Sequence, residues 1–148
     1  MNCASWILRG VAVAAVAAGL ALAHGKPWPV PEEFKKMRNP VPKNEAGMKA
    51  AASIYAEKCA QCHGDTGKGD GPDAEMYSTK PANFSDAQMM GEMTDGELFY
   101  KMTEGRKPMP TFKAQLTDEQ RWQLVHFIRA FAPKTDERKP TKAAPHKH

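Results

Sequence analysis

Apolar positions recur at i, i+3, i+4, i+7 and i+11 through Met48, Ala51, Ala52, Tyr55 and Cys59. That period predicts one amphipathic helix, N-capped by Asn44 and ending near Lys58. A second helical period runs through Leu124, Phe127, Ile128 and Phe131, opened by the capping box Thr117-Asp118-Glu119-Gln120 and stopped by Pro133. Between the two, Thr94-Asp95-Gly96-Glu97 is another capping box. It leads into a helix that buries Leu98, Phe99 and Met102 and ends at Gly105. Ala51 is small enough for the last helix to cross the first there, with Leu124 and Phe127 facing it and Tyr55 alongside. Trp122 is assigned to the core, with the N-terminal arm or a cofactor edge as its other possible neighbours. The expected fold is all-α, three to five short helices joined by long loops.

The rest of the chain lacks such periods. One positive charge precedes an apolar run at 11–23 that closes on Ala21-Leu22-Ala23, the pattern of a cleaved secretory signal over residues 1–23. Thirteen apolar residues fall short of the ~20 that a membrane-spanning helix needs. A retained inner-membrane anchor is the alternative. Residues 24–43 carry five prolines and read as an extended arm, with Trp28 and Phe34 as anchors and one helical turn around 32–38. A domain is expected over 44–133, followed by a disordered charged tail over 134–148. Within the domain, 74–91 reads as loop with one short helix, and Phe84 as its inward residue.

Composition changes this picture in one respect. A chain of 148 residues makes one domain, yet its Leu, Ile, Val and aromatic content is modest for that length. Part of the core is therefore expected to be a buried apolar group other than side chains. The net charge is +4, or +3 once residues 1–23 are set aside. This mixed, mildly basic balance points to an acidic partner surface, and no basic run interleaved with aromatics suggests nucleic acid.

Candidate chemistry sits in two stretches. Cys59-Ala60-Gln61-Cys62-His63 is the C-x-x-C-H pattern of c-type haem attachment: two thiols on one helical turn for thioethers, then an imidazole for the iron. A zinc site would need two further ligands, and Cys3 lies in the segment expected to be removed. A thiol–disulfide pair would need a βαβ setting. The glycine-rich run from Gly64 to Pro72 is expected to wrap a flat cofactor edge, with the Gly71 or Pro72 carbonyl accepting from the outer nitrogen of His63. The second stretch is Pro108-Met109-Pro110, where prolines on extended backbone would hold a thioether at a fixed point, as a sixth iron ligand requires. Met76, Met89, Met90, Met93 and Met102 compete with Met109 for that role. His126 lies off the apolar stripe and reads as a surface histidine. His146 and His148 offer a weak adventitious metal site.

With both stretches and their flanking helices placed, the chain resembles the class I (mitochondrial-type) cytochrome c fold. More narrowly, it resembles bacterial monohaem cytochromes related to the cytochrome c subunit of cbb3-type oxidases. The resemblance spans 44–132 and rests on Tyr55, Cys59-x-x-Cys62-His63-Gly64, Gly69-x-Gly71-Pro72, Met93-Thr94-Asp95-Gly96-Glu97, Pro108-Met109-Pro110 and Arg121-Trp122. It implies one haem c held by thioethers at Cys59 and Cys62, with His63 and Met109 on the iron. The oxidase subunit has two haem motifs where this chain has one. The implied function is an exported, periplasmic one-electron carrier of a respiratory chain and not an enzyme. Its partners would be a membrane respiratory complex or a periplasmic reductase or oxidase, engaged by transient docking through Lys68, Lys80, Lys107 and Lys113. The alternative is a haem enzyme (a peroxidase or small-molecule reductase) or a gas-binding protein with a displaceable sixth ligand. Contact with a membrane is expected only if the N-terminal segment is retained.

Overall fold

A computed structural model describes residues 28–133. The proposed signal segment, the first four residues of the arm and the charged tail lie outside the described residues. Six α-helices follow in order: α1 (Glu32–Lys35), α2 (Glu45–Lys58), α3 (Ala60–His63), α4 (Ala87–Glu92), α5 (Asp95–Glu104) and α6 (Asp118–Arg129). A 3-10 turn at Ala74–Met76 lies between α3 and α4. No strand forms among the described residues. The tally passes three to five because single turns such as α1 and α3 form beside the longer helices α2, α5 and α6.

The caps sit where side-chain chemistry predicts them. The Asn44 side chain accepts from the Gly47 amide, and Thr94 and Thr117 form reciprocal capping boxes with Glu97 and Gln120. The principal packing is α2 against α6, with α5 lying on α6. Ala51, Leu124 and Val125 are almost wholly buried, and the Phe99 and Trp122 rings stack at 4.1 Å. The buried stripe of α2 is Gly47, Ala51 and Tyr55, rotated from the expected one, with Met48 and Ala52 only half-buried. The cause is close helix approach: a Cβ at Gly47 would stand 3.3 Å from the Gln123 side chain of α6. Helix α6 ends at Arg129, short of Pro133, and Phe131 folds back onto Tyr55 at 5.1 Å.

The arm from Trp28 onward lies along α5 and α6. Phe34 meets Tyr100 at 4.8 Å, Asn39 donates to the Trp122 carbonyl at 2.9 Å, and His126 donates through Nε2 to the Val41 carbonyl at 2.7 Å. His126 is thus half-buried and serves the arm. At Gly96 the arm comes so near that a Cβ would lie 1.8 Å from the Phe34 carbonyl oxygen.

Arg121, buried on α6, anchors the segment that follows Met109. Its Nη1 donates to the carbonyls of Phe112, Lys113 and Leu116, and its Nη2 meets the Asp118 carboxylate. Removing the donor takes this partner from the Lys113 and Leu116 carbonyls, while the Phe112 carbonyl keeps the Gln115 and Leu116 amides, and it leaves the Asp118 carboxylate without its cation. Arg121→Met is therefore expected to lower stability by about 3 kcal/mol, read from the urea midpoint at constant slope. A loss below about 1 kcal/mol would mean that water replaces the guanidinium there.

Candidate haem site

The first donor group is set by the junction of α2 and α3. The Cys59 amide closes α2 on the Tyr55 carbonyl at 2.8 Å, and the Cys62 and His63 amides return to the Cys59 carbonyl at 3.1 and 2.9 Å. One tight turn thus carries both thiols and the imidazole. The glycine-rich run then folds back under it: Gly69, Gly71 and Asp73 donate to the carbonyls of His63, Cys62 and Gln61. These bonds satisfy the carbonyls that a helix end leaves open. Tyr55 adds a hydroxyl bond to the Gly64 carbonyl at 2.8 Å. The run therefore braces the motif from behind and does not line the cavity in front of it, correcting the expectation that it wraps a cofactor edge.

Cys59, Cys62, His63 and Met109 all open into one cavity of about 580 Å³. Phe84, Met102, Phe112, Leu124 and Ile128 give it an apolar wall. Met102 and Met109 are the only methionines of the described residues that line it. Met102 belongs to the buried face of α5, while Met76 is largely exposed and Met90 is buried elsewhere. Met109 closes a turn over Lys107 and Pro108: Arg106 and Met109 form an isolated antiparallel bridge and exchange both backbone hydrogen bonds, at 3.0 and 2.9 Å. Gly105, at φ 65°, begins that turn, and a Cβ there would meet Pro110 at 2.5 Å. Thr111 ties the far side down by donating to the Thr103 carbonyl at 2.6 Å.

The second bond of His63 differs from the expected one. Its Nδ1 donates to the Ala82 carbonyl at 3.1 Å, not to Gly71 or Pro72, and Pro72 is exposed and absent from the cavity lining. The Gly71 carbonyl accepts instead from the Ala74 amide at 2.9 Å, while Ala82 lines the cavity beside the imidazole. Pro72 follows Gly71 on the side of the motif away from the cavity lining. The His63 ring also stacks on Phe84 at 4.5 Å. Burial holds its pKa below the ordinary histidine value, partly offset by the Ala82 bond. A carbonyl can only accept, so Nδ1 bears the proton and Nε2 keeps its lone pair for a metal.

Electrostatics separate the thiol pair from a redox motif. Burial pushes the Cys59 thiol up to about 11, against the lowering effect of Lys58, and also raises the Cys62 thiol. Redox C-x-x-C pairs depend on lowered thiol pKa values. Among the described residues, no cluster of three or more His, Cys, Asp or Glu could hold a metal. The cavity lining includes Lys58, Lys80, Lys101, Arg106 and Lys107 and no acid. An apolar macrocycle with two carboxylates, tethered through two thiols, fits this lining and this donor set. Cys59 and Cys62 would hold haem c covalently, and His63 and Met109 would ligate its iron. Of the four lysines singled out from sequence, Lys80 and Lys107 reach the cavity, while Lys68 and Lys113 do not.

Sequence reasoning did not assign Ala82, Arg106 or Lys101 to the site, and it placed Trp28 only as an arm anchor. The Ala82 contact is a backbone carbonyl, which leaves no side-chain signature. Arg106 carried the one available signal, a charge three positions before Met109.

A model of the cytochrome c family matches residues 48–132. Cytochrome c550 of Pseudomonas aeruginosa is 26% identical over 142 residues, covering 82% of this chain and 92% of its own. Among solved structures, a Kuenenia stuttgartiensis reducing HAO-like protein complex, Kustc0457/Kustc0458, aligns at TM-score 0.58 and 29% identity over 76% of this chain. The match takes in 54% of that longer chain, so this protein spans about half of it. The KustC0563 c-type cytochrome aligns at TM-score 0.51 and 27% identity, covering 56% of this chain and 98% of its own. With its fold, its four convergent donors and these matches, the chain belongs to the cytochrome c family, as a class I c-type cytochrome with a single haem-attachment motif.

Proposed function

We propose that the protein is an exported, periplasmic one-electron carrier between respiratory redox proteins. The observation that carries this reading is that His63 and Met109 open into the same cavity, beside the two thiols. His63 and Met109 would both be engaged by the iron, which would leave no protein-free position for a substrate. One-electron cycling between ferrous and ferric iron is the chemistry the bound group supplies. The chain's contribution is to keep that chemistry confined. The apolar wall excludes water, the Ala82 bond and Phe84 fix the imidazole, and the closed Arg106–Met109 turn fixes the thioether.

Lys80 and Lys107 at the cavity favour brief docking on an acidic partner surface by charge steering. The family and the cytochrome c550 likeness support an electron-transfer role over catalysis. The test is the ferric absorption spectrum together with cyanide titration. A sulfur–iron charge-transfer band and weak cyanide binding are expected. A high-spin spectrum with tight cyanide binding would favour a haem enzyme or a gas-binding protein.

The Kuenenia likeness, to a chain within a named complex, favours a second setting for the same chemistry: a subunit held in a larger assembly. Size-exclusion chromatography of native soluble and membrane fractions separates the two, a free carrier eluting as a monomer somewhat below the 16.3 kDa of the full sequence once the signal segment is removed.

A further inference from the structure

We propose that Trp28 is a positioning residue for the Met109 side of the site, closing the cavity there and keeping the Arg106–Met109 turn seated. This rests on the haem reading above and extends it to a segment outside the family match, which begins at residue 48.

Trp28 lines the cavity and is half-buried. The Arg106 guanidinium lies 4.7 Å from its ring centroid and the Lys101 ammonium 5.9 Å. Arg106 is itself one end of the turn that presents Met109, through the two backbone bonds between them. The indole therefore touches the methionine turn through one cation and α5 through the other. Lys101 is held in turn by donating to the Met93 sulfur at 3.2 Å, and burial lowers its pKa. A cation over an indole face is attracted by the ring quadrupole, at the exposed Arg106 as at the half-buried Lys101.

The indole is brought there by the arm. The Phe34–Tyr100 contact, the Asn39 and His126 bonds and the seat of Phe34 on Gly96 fasten it at successive points. A free leader would not be tied at both α5 and α6. The arm thus supplies a wall that the helical domain lacks on that side. An incoming ligand for the iron must displace both the thioether and this wall. Its apparent affinity scales with the fraction of molecules in which the turn is open.

The experiment uses the haem-loaded protein and imidazole, a neutral probe that competes with Met109 for ferric iron. Trp28→Ala is expected to tighten apparent imidazole binding about tenfold, the effect of losing both cation–π contacts together. Trp28→Phe, which keeps an aromatic face, is expected to remain within about threefold of the parent. Gly96→Ala, which forces the arm off α5, should reproduce the Trp28→Ala effect. If Trp28→Ala fails to retain haem, Arg106→Gln decides, since it keeps the backbone bonds of the turn and removes the cation over the ring. A several-fold tightening in Arg106→Gln supports the proposal. Imidazole affinities unchanged within twofold in the decisive variant would overturn it. Absence of the sulfur–iron band in the parent protein would instead sink the ligand assignment, so the two failures are distinguishable.

Discussion

Replacing Cys59 and Cys62 together by alanine is expected to give a chain that releases all haem on acid–acetone extraction and melts without a cooperative transition. Each thiol lines the cavity, so loss of both removes the covalent tether. The structural consequence follows from the cavity itself. Left dry, about 580 Å³ of empty space would cost about 14 kcal/mol at the ~24 cal/mol per Å³ measured for cavities in protein cores. Water entering the mouth lowers that figure, yet it remains comparable with the ~5–15 kcal/mol by which domains are stable. The capped helices α2, α5 and α6 should survive in part, because Asn44, Thr94 and Thr117 act locally. Far-ultraviolet circular dichroism should therefore retain helical signal while the near-ultraviolet signal collapses. A sharp, parent-like melt in the haem-free variant would show that the side chains alone complete the core.

The second large effect is expected at Met109. Met109→Ala should abolish the sulfur–iron band and lower the reduction potential by on the order of a few tenths of a volt, within the ~0.8 V range that axial ligands command. A thioether raises the potential because soft sulfur favours the reduced metal. Its removal also opens a position to water or added ligands, so cyanide should bind far more tightly. The fold should hold, since the turn is closed by backbone bonds between Arg106 and Met109 and tied down by Thr111. Spectroelectrochemistry checks the potential and thermal melting checks the fold. A low-spin spectrum indistinguishable from the parent would transfer the ligand role to another residue, with Met102 the first to examine because it shares the cavity.

The helices were legible because their signals are local. A cap, a capping box or an apolar period acts within a few residues, and α2, α5 and α6 begin where those signals lie. The motif cysteines, His63 and Met109 stood out because chemistry restricts which residues can serve, and the structure opens all four into one cavity. What was not legible depends on chain segments meeting across long separations. The burial of Gly47 depends on Gln123 of α6, the Ala82 contact on a loop passing His63, and the place of Trp28 on Arg106. The glycine-rich run shows the same limit from the other side. Its composition announced tight backbone turns correctly, but not that their amides face back onto the motif's carbonyls.

The seat of Trp28 at the cavity also fixes where the preceding chain leaves the domain. Whatever is joined directly upstream of Trp28 therefore starts beside the opening. A purification tag, fluorophore or immobilising linker placed at that end would crowd the approach of a docking protein. Kinetic work on electron exchange is better served by labels at other surface positions.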